Sequence, residues 1–390
     1  MSRALRPLAY GVWAALLALP LMGPLRAALL GGVVLVMTLA FLGARALSRR
    51  PLGSALRQQA AGLGRAIRQQ AAAIPRPLLA GLVGAGLLLF PHVASRYHID
   101  VATLVGIYVV LALGLNVVVG LAGLLDLGYV AFYAVGAYAF AILGTRAEVS
   151  FWAALPIGAI LAAIFGILLG IPVLRLRGDY LAIVTLGFGE MIRITLNNWD
   201  AFTNGPNGIL NIPRPSVLGF ALRDPMYHYY LILGLGLFTV WVIGRLNNSW
   251  VGRAWIAMRE DELAAEAMGI NVMRMKLLAF AMGATWAGFA GVFFASKQTF
   301  ISPESFTFFE SVIILSMVVF GGMGSIPGVI LGAAILVILP EVMREFAFYR
   351  MLLFGGAMVL MMVLRPQGLL PNPRRKVELH PGEERLGAAA

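Results

Sequence analysis

Long apolar runs alternate with short polar stretches along most of this chain. A helix that crosses the roughly 30 Å apolar core of a bilayer needs about 17–25 mostly apolar residues, and several runs meet or approach that length. They are 28–43, 99–123, 151–174, 227–244, 277–296 and a run from 310 to 322. The pattern predicts an all-α polytopic membrane protein with about ten to twelve transmembrane helices, some of them interrupted by glycine.

The composition agrees with this prediction. Hydrophobic residues make up 60% of the chain and charged residues only 12%, and the mean hydropathy is +0.86. These values lie far outside the range of soluble globular domains. The chain has no cysteine, which excludes disulfides and thiolate metal sites. Cysteine content therefore does not indicate whether the protein faces an oxidising or a reducing compartment.

Basic residues collect in alternate loops, and such loops face the cytoplasm. The 44–77 stretch has seven arginines and no acidic residue, and the 245–276 segment and the chain after 364 are also basic. Both termini are therefore predicted to be cytoplasmic. The net charge of +12 is explained by this orientation, and no nucleic-acid partner is predicted.

The chain is predicted to divide into four parts. Residues 1–43 form a transmembrane hairpin, 44–77 a basic amphipathic cytoplasmic linker, 78–370 the membrane-spanning core and 371–390 a cytoplasmic tail. A cleaved signal peptide is the alternative for the start of the chain, but its cleavage pattern is poor and a second apolar run follows at once. The linker repeats "RQQAA" at 57–61 and 68–72. Its alternatives are a helix on the lipid surface and a flexible segment.

Residues 252–278, "GRAWIAMREDELAAEAMGINVMRMKLL", carry eight charges between two apolar runs. Apolar residues at 256, 263, 267 and 270 have helical spacing, which predicts one helix with one apolar face. Gly269 is predicted to end this helix in a left-handed cap, and Asn271 to cap the next span. The apolar face needs cover, either from a partner protein or from other loops of this chain.

Within this segment, "DELAAEAMGI" (261–270) resembles the coupling loop of ABC importer permeases, whose pattern is Glu-Ala-Ala, three residues, then Gly. Ala264, Ala265 and Gly269 match that spacing. Leu263 stands at the place of the Glu, with Glu262 one position early and Glu266 inside the gap. The resemblance implies that this helix docks in a cleft of an ATPase subunit, with Glu262, Ala264, Ala265, Glu266 and Gly269 as the coupling residues.

Four further stretches resemble branched-chain amino-acid permeases of the LivH/LivM family. They lie at 114–143, 174–209, 318–333 and 364–370, and "GDYLAIVTLGFGE" and "GPNGI" point to the LivM type. The resemblance implies a permease subunit of an ATP-driven importer in a bacterial inner membrane. Its implied partners are a LivH-like paralogue, two ABC ATPases, a periplasmic solute-binding protein and membrane lipid.

The residues themselves give no sign of catalysis. None of the three lysines, Lys276, Lys297 and Lys376, stands in a G-x-x-x-x-G-K-[ST] phosphate loop. If the protein is a primary transporter, its ATP chemistry must therefore come from a separate subunit. The four histidines are scattered without metal-ligand spacing. No catalytic residue, metal or cofactor is therefore predicted on this chain.

Glycine and polar residues interrupt two apolar runs, and such breaks survive in a membrane only where protein or a cavity surrounds them. They suggest broken elements beside a translocation pathway, while simple helix-end turns are the alternative. Glu190, three residues before Arg193, is either a gating carboxylate or half of a structural ion pair. The full pathway set is Asn116, Gly120, Gly123, Asp126, Glu190, Gly321, Gly322 and Gly324.

The longest predicted outer loop, 197–227, contains the turn sequence Asn204-Gly205-Pro206-Asn207-Gly208. The family resemblance implies that Asn204, Gly205, Asn207 and Gly208 dock the solute-binding protein; the alternative is a loop that merely closes the outer face. Two alternatives for the function remain: a permease for another small solute, such as urea, an amide or another amino acid, and an ion-gradient transporter using Asp126 and Glu190.

Overall fold

The structure, a computed structural model, describes residues 76–342 except 174–175, 177, 218–219 and 222–223, together with 355–356, 359 and 368–370. The predicted hairpin over 1–43, most of the 44–77 linker and the 371–390 tail lie outside the described residues. The chain divides into two compact units, 1–87 and 88–390. Helix α1 (Arg76–Val93) crosses the boundary between them, and the second unit contains all the elements that follow.

The described part is almost entirely helical, which confirms the predicted all-α class. After α1 come α2 (Arg96–Leu115), a π-helical turn (Asn116–Leu121), α3 (Val130–Arg146), α4 (Phe151–Val173), α5 (Asp179–Asn198), α6 (Asp200–Thr203), a 3-10 turn (Gly205–Asn207), α7 (Pro225–Asn247), α8 (Trp250–Glu260), α9 (Glu262–Ala267), α10 (Val272–Gln298), a second 3-10 turn (Pro303–Phe306), α11 (Phe308–Gly321) and α12 (Ile326–Val342).

Four two-residue strands complete the described chain. β1 (Ile209–Leu210) pairs antiparallel with β4 (Phe300–Ile301), and β2 (Ser216–Val217) pairs antiparallel with β3 (Phe220–Ala221). β1 and β4 join two loops that the sequence places on the outer face.

Among the described residues, five helices are long and apolar enough to cross a membrane: Arg96–Leu121, Phe151–Val173, Pro225–Asn247, Val272–Gln298 and Pro303–Gly321. Gly84–Val93, Val130–Arg146 and Ile326–Val342 are shorter apolar helices. The protein is therefore a multi-pass membrane protein. The total of ten to twelve spans stays a prediction, since part of the chain lies outside the described residues.

The core is built around α10, which packs along α3 and α4 and also contacts α2. Small residues allow these helices to approach closely. A Cβ atom on Gly136 of α3 would overlap with the backbone of Gly288 on α10, and a Cβ on Gly288 would lie 2.7 Å from the Ala162 side chain of α4. The glycines of these three helices therefore set their separation.

Candidate functional site

The charged segment between α7 and α10 forms two short helices rather than one. Ser249 begins α8, where its Oγ accepts a hydrogen bond from Gly252 N at 3.2 Å. At Asp261 the backbone becomes extended, with φ −154° and ψ 113°. The Asp261 carboxylate then accepts hydrogen bonds from Leu263 N at 2.9 Å and Ala264 N at 3.0 Å, which starts α9 as an N-cap. We call residues 249–271 the coupling segment.

The prediction of one continuous apolar face through Ile256, Leu263 and Ala267 is therefore wrong. The break at Asp261 rotates α9 relative to α8, and Leu263 becomes 64% exposed. The N-cap competes with helix continuation, because an Asp side chain bonds the amide groups of a new first turn better than it serves inside a helix.

Both predicted caps at the end of the coupling segment are confirmed. Gly269 has φ +85°, its N–H donates to Glu266 O at 2.9 Å, and Ile270 N donates to Ala265 O at 3.1 Å. These two bonds form a Schellman motif, in which glycine tolerates the left-handed backbone. Asn271 Oδ1 then accepts from Arg274 N at 3.0 Å and starts α10.

One side of the coupling segment packs on the rest of the chain. Trp255 is fully buried and its Nε1 donates to Met275 O at 2.8 Å. The carboxylate of Glu262 lies 2.7 Å from Lys276 Nζ, and Lys276 is itself buried. These contacts tie both α8 and α9 to the first turns of α10, so the segment and that span are one packed unit.

The other side of the coupling segment is exposed. Met268 is 83% exposed, and Ala264, Glu266 and Ala267 are exposed with it. Large apolar side chains such as Leu263 and Met268, standing beside a carboxylate on a charged helix, are typical of a surface that meets another protein.

The helix ends within the first of the two interrupted apolar runs. The π-helical turn after α2 ends at Leu121, and residues 122–129 are not helical before α3 begins. Asp126 is fully buried here, with Oδ1 accepting from Gly128 N at 2.9 Å. Leu127 N donates to Thr185 Oγ1 of α5 at 3.0 Å. Side chains of this chain therefore satisfy backbone groups that a helix would otherwise satisfy.

The second interrupted run breaks between α11 and α12. Gly321 is the last residue of α11, Gly322 and Gly324 both have positive φ, and α12 begins at Ile326. Leu369 N donates to Phe320 O at 3.0 Å and Leu370 N donates to Gly321 O at 3.1 Å. The chain at 369–370 therefore supplies partners for the last carbonyl groups of α11.

The two breaks meet. Asn116 Oδ1 accepts a hydrogen bond from Gly324 N at 2.8 Å, and a Cβ on Gly120 would lie 2.6 Å from that same nitrogen. Asn116, Gly120 and Gly324 thus form one contact, although 208 residues separate Asn116 from Gly324. We call this contact the glycine junction.

Arg259 links the coupling segment to the glycine junction, a role that sequence reasoning missed. Its Nη1 donates to Gly120 O at 2.6 Å. A cavity of about 180 Å³ lies beside it, lined among others by Gly123, Gly178, Met258, Arg259 and Lys276. The sequence signal was only an arginine in the last turn of a charged helix, and its acceptor is 139 residues away.

Glu190 forms the predicted pair with Arg193, whose Nε lies 2.9 Å from Glu190 Oε2 on α5. Arg193 Nη1 also lies 3.8 Å from Glu304 Oε1 in the second 3-10 turn. Glu190 therefore belongs to a charged cluster with a residue of the 299–307 loop. Asp126, by contrast, lies at the first break, where it accepts a hydrogen bond from Gly128 N and the adjacent Leu127 N donates to Thr185 Oγ1.

A partly buried carboxylate that was not considered from the sequence lies in the first turn of α11. Glu310 Oε2 accepts a hydrogen bond from Tyr108 OH of α2 at 2.8 Å. Since Glu310 stands at the start of an apolar run, the pattern alone places it at a helix end. Glu310 is therefore a further carboxylate in contact with an apolar span, in addition to the predicted Asp126 and Glu190.

The outer loop is held by its own polar residues and by a second loop. Asn204 has a left-handed backbone (φ 61°, ψ 20°), and its Nδ2 donates to Gly208 O at 2.9 Å. Gly205–Asn207 form the intervening 3-10 turn. β1 follows and pairs with β4, with Leu210 opposite Phe300. Both of these side chains are exposed, so an apolar patch stands on a braced loop.

No group of three His, Asp or Glu side chains within the described ranges is close enough together to hold a metal ion.

Comparison with known proteins places the chain in a family. Residues 97–362 match the family model described as the permease component of branched-chain amino acid transport systems. The chain is 51% identical over 316 residues, 75% of this chain and 74% of the relative, to the "High-affinity branched-chain amino acid transport system permease protein LivM" of Escherichia coli (strain K12).

Two more distant relatives extend this comparison. A probable branched-chain amino acid transport permease protein LivM of Methanocaldococcus jannaschii is 28% identical over 238 residues, 55% of this chain and 67% of the relative. The permease LivH of Escherichia coli (strain K12) is 32% identical over 130 residues, 33% of this chain and 42% of the relative. No solved structure matches the chain.

Proposed function

Because this chain belongs to the family of branched-chain amino acid transport permeases, we propose that it is the LivM-type translocation subunit of an ABC importer for branched-chain amino acids. The observation that carries the proposal is the 51% identity to a high-affinity LivM permease over 316 residues. The five membrane-crossing helices among the described residues agree with a conduit.

Separate ATPase subunits drive the conduit, since the sequence has no phosphate-binding loop of its own. We place their docking surface on the exposed side of the coupling segment, around Leu263, Glu266 and Met268. The buried Trp255 and the Glu262–Lys276 ion pair support this placement, because they fasten the segment to α10. A push on α9 is then transmitted to a span that contacts α2, α3 and α4.

A LivH-like paralogue completes the membrane part in this proposal. The chain shares 32% identity with a LivH permease over 130 residues, which supports two related permeases side by side. The coupling segment and both termini face the cytoplasm of a bacterial cell, in agreement with the distribution of basic residues.

A periplasmic solute-binding protein delivers the amino acid at the opposite face. The Asn204–Gly208 turn supports this placement, because it is braced by β1–β4 pairing and presents the exposed Leu210 and Phe300. Rigid loops with exposed apolar side chains lose little conformational freedom when a partner binds.

Competition on uptake tests the function. Membrane vesicles that contain the assembled importer, its binding protein and ATP are expected to accumulate radiolabelled leucine. Excess unlabelled isoleucine or valine is expected to reduce this uptake, and urea is not. Accumulation of urea without accumulation of leucine would assign the chain to a different solute.

A further inference from the structure

Arg259 donates a hydrogen bond to the carbonyl group of Gly120, which the π-helical segment containing Gly120 leaves without a helical partner. Gly120 lies in the last turn of the π-helical segment, where carbonyl groups lack regular helical partners. The neighbouring amide groups bond elsewhere, Ala122 N to Val117 O at 3.1 Å and Leu124 N to Val118 O at 3.0 Å. Arg259 Nη1 supplies the partner for Gly120 O at 2.6 Å. A cation at the C-terminal end of a helix also interacts favourably with the helix dipole.

The surrounding chain is shaped to hold Arg259. Gly123 has φ +73°, and a Cβ there would overlap with the Arg259 side chain and approach its Cα to 3.2 Å. A side chain at 123 would therefore displace the arginine. Glu260 Oε1 accepts from Arg259 Nη2 at 2.7 Å, which orients the guanidinium while Nη1 bonds Gly120.

A second hydrogen bond links the break after α2, which contains Gly120, to the break between α11 and α12. Asn116 lies one helical turn before Gly120, and its Oδ1 accepts from Gly324 N at 2.8 Å. The hydrogen bonds Arg259–Gly120 and Asn116–Gly324 thus connect α8, the end of the α2 span and the turn between α11 and α12. Asn116 is fully buried, so water cannot easily substitute for it.

We propose that Arg259 is the positioning residue through which movement of the coupling segment reaches the glycine junction and, with it, the cytoplasmic ends of two spans. This inference rests on the proposed function. α9 and α10 are joined by the Glu262–Lys276 pair, but α8 reaches the α2 span through Arg259. When the docked ATPases move the coupling segment, Arg259 pulls the Gly120 carbonyl, and Asn116 carries the displacement to Gly324.

The test measures how many leucine molecules enter per ATP hydrolysed by the complete importer in proteoliposomes. Arg259→Gln removes the hydrogen bond from the charged guanidinium to Gly120 O. We expect the number of leucine molecules transported per ATP to fall about tenfold in this variant, while ATP hydrolysis continues. Arg259→Lys keeps one donor and the charge and is expected to restore part of the ratio. A merely structural role would change the yield of the assembly but not this ratio.

Arg253→Gln is the matched control. Arg253 lies on the same helix, is exposed, and donates to Asn248 O at 3.1 Å, away from the glycine junction. Its ratio is expected to equal that of the wild type. If Arg259→Gln does not assemble, Gly123→Ala replaces it, because this change displaces the arginine without removing it, and the same fall in the ratio is expected.

A wild-type ratio in assembled Arg259→Gln or Gly123→Ala would overturn the proposal. Failure of the proposed function gives a different result, since the wild-type importer itself would then show no ATP-dependent leucine uptake.

Discussion

Single polar side chains set the bounds of the coupling segment. Ser249, Asp261 and Asn271 each accept hydrogen bonds from backbone amides at a helix start, and Gly269 ends α9 with a left-handed backbone. These residues fix where the chain turns, and so they fix which side chains α9 exposes.

Replacing the cap at Asp261 tests this directly. Asp261→Ala is expected to destabilise α9 by about 1 kcal/mol, because two backbone amides lose their acceptor. The frayed helix should then retain less ATPase on affinity purification of the complex. Asp261→Asn keeps the acceptor and is expected to retain wild-type amounts. Equal ATPase recovery with the Ala and Asn variants, both at the wild-type amount, would show that α9 is not the docking element.

Helix packing in the second unit depends on close approach of α3, α4 and α10. A Cβ on Gly136 of α3 would overlap with Gly288 O of α10, and a Cβ on Gly288 would lie 2.7 Å from the Ala162 side chain of α4. Neither position has room for a larger residue. The hydrophobic driving force between helices is weak in lipid, so van der Waals packing at crossings with small residues stabilises their association instead.

Gly136→Ala is therefore expected to destabilise the protein by about 1–3 kcal/mol, since an added methyl group forces two backbones apart. Thermal unfolding in detergent measures the change. The control is Gly244→Ala on α7, where a Cβ meets nothing within 4 Å and alanine favours the helix by up to about 1 kcal/mol. An unchanged melting temperature for Gly136→Ala would mean that the helices pack less closely than described.

Local signals made some elements predictable and long-range contacts left others unpredictable. Gly269 and Asn271 act within a few residues, and the sequence predicts both caps correctly. Asp261 was misread because the apolar spacing through Leu263 suggested one helix and concealed the stronger capping signal. The Arg259–Gly120 bond joins residues far apart in the chain, and no periodicity reports such a contact.

The proposed orientation of the molecule rests on the distribution of basic loops, and the absence of cysteine from the sequence makes it measurable. Met268→Cys and Leu210→Cys place single thiols at positions that are 83% and 61% exposed. A membrane-impermeant maleimide added outside intact spheroplasts is expected to label Leu210→Cys. It should label Met268→Cys only after the membrane is permeabilised. The reverse labelling pattern would invert the molecule and remove the coupling segment from the ATPases.

We propose that this chain is a conduit without its own source of energy. The ion-gradient alternative relies on membrane carboxylates, and the described chain adds Glu310 to Asp126 and Glu190 as candidates. The two mechanisms differ in what drives uptake, so the source of energy decides between them.

The most direct measurement is leucine accumulation in proteoliposomes that contain the purified permeases, with and without the ATPase subunits, in the presence of binding protein and an imposed ion gradient. The account predicts accumulation only when the ATPases and ATP are present, and none when the gradient acts alone. Accumulation against a concentration gradient without ATPases would contradict it.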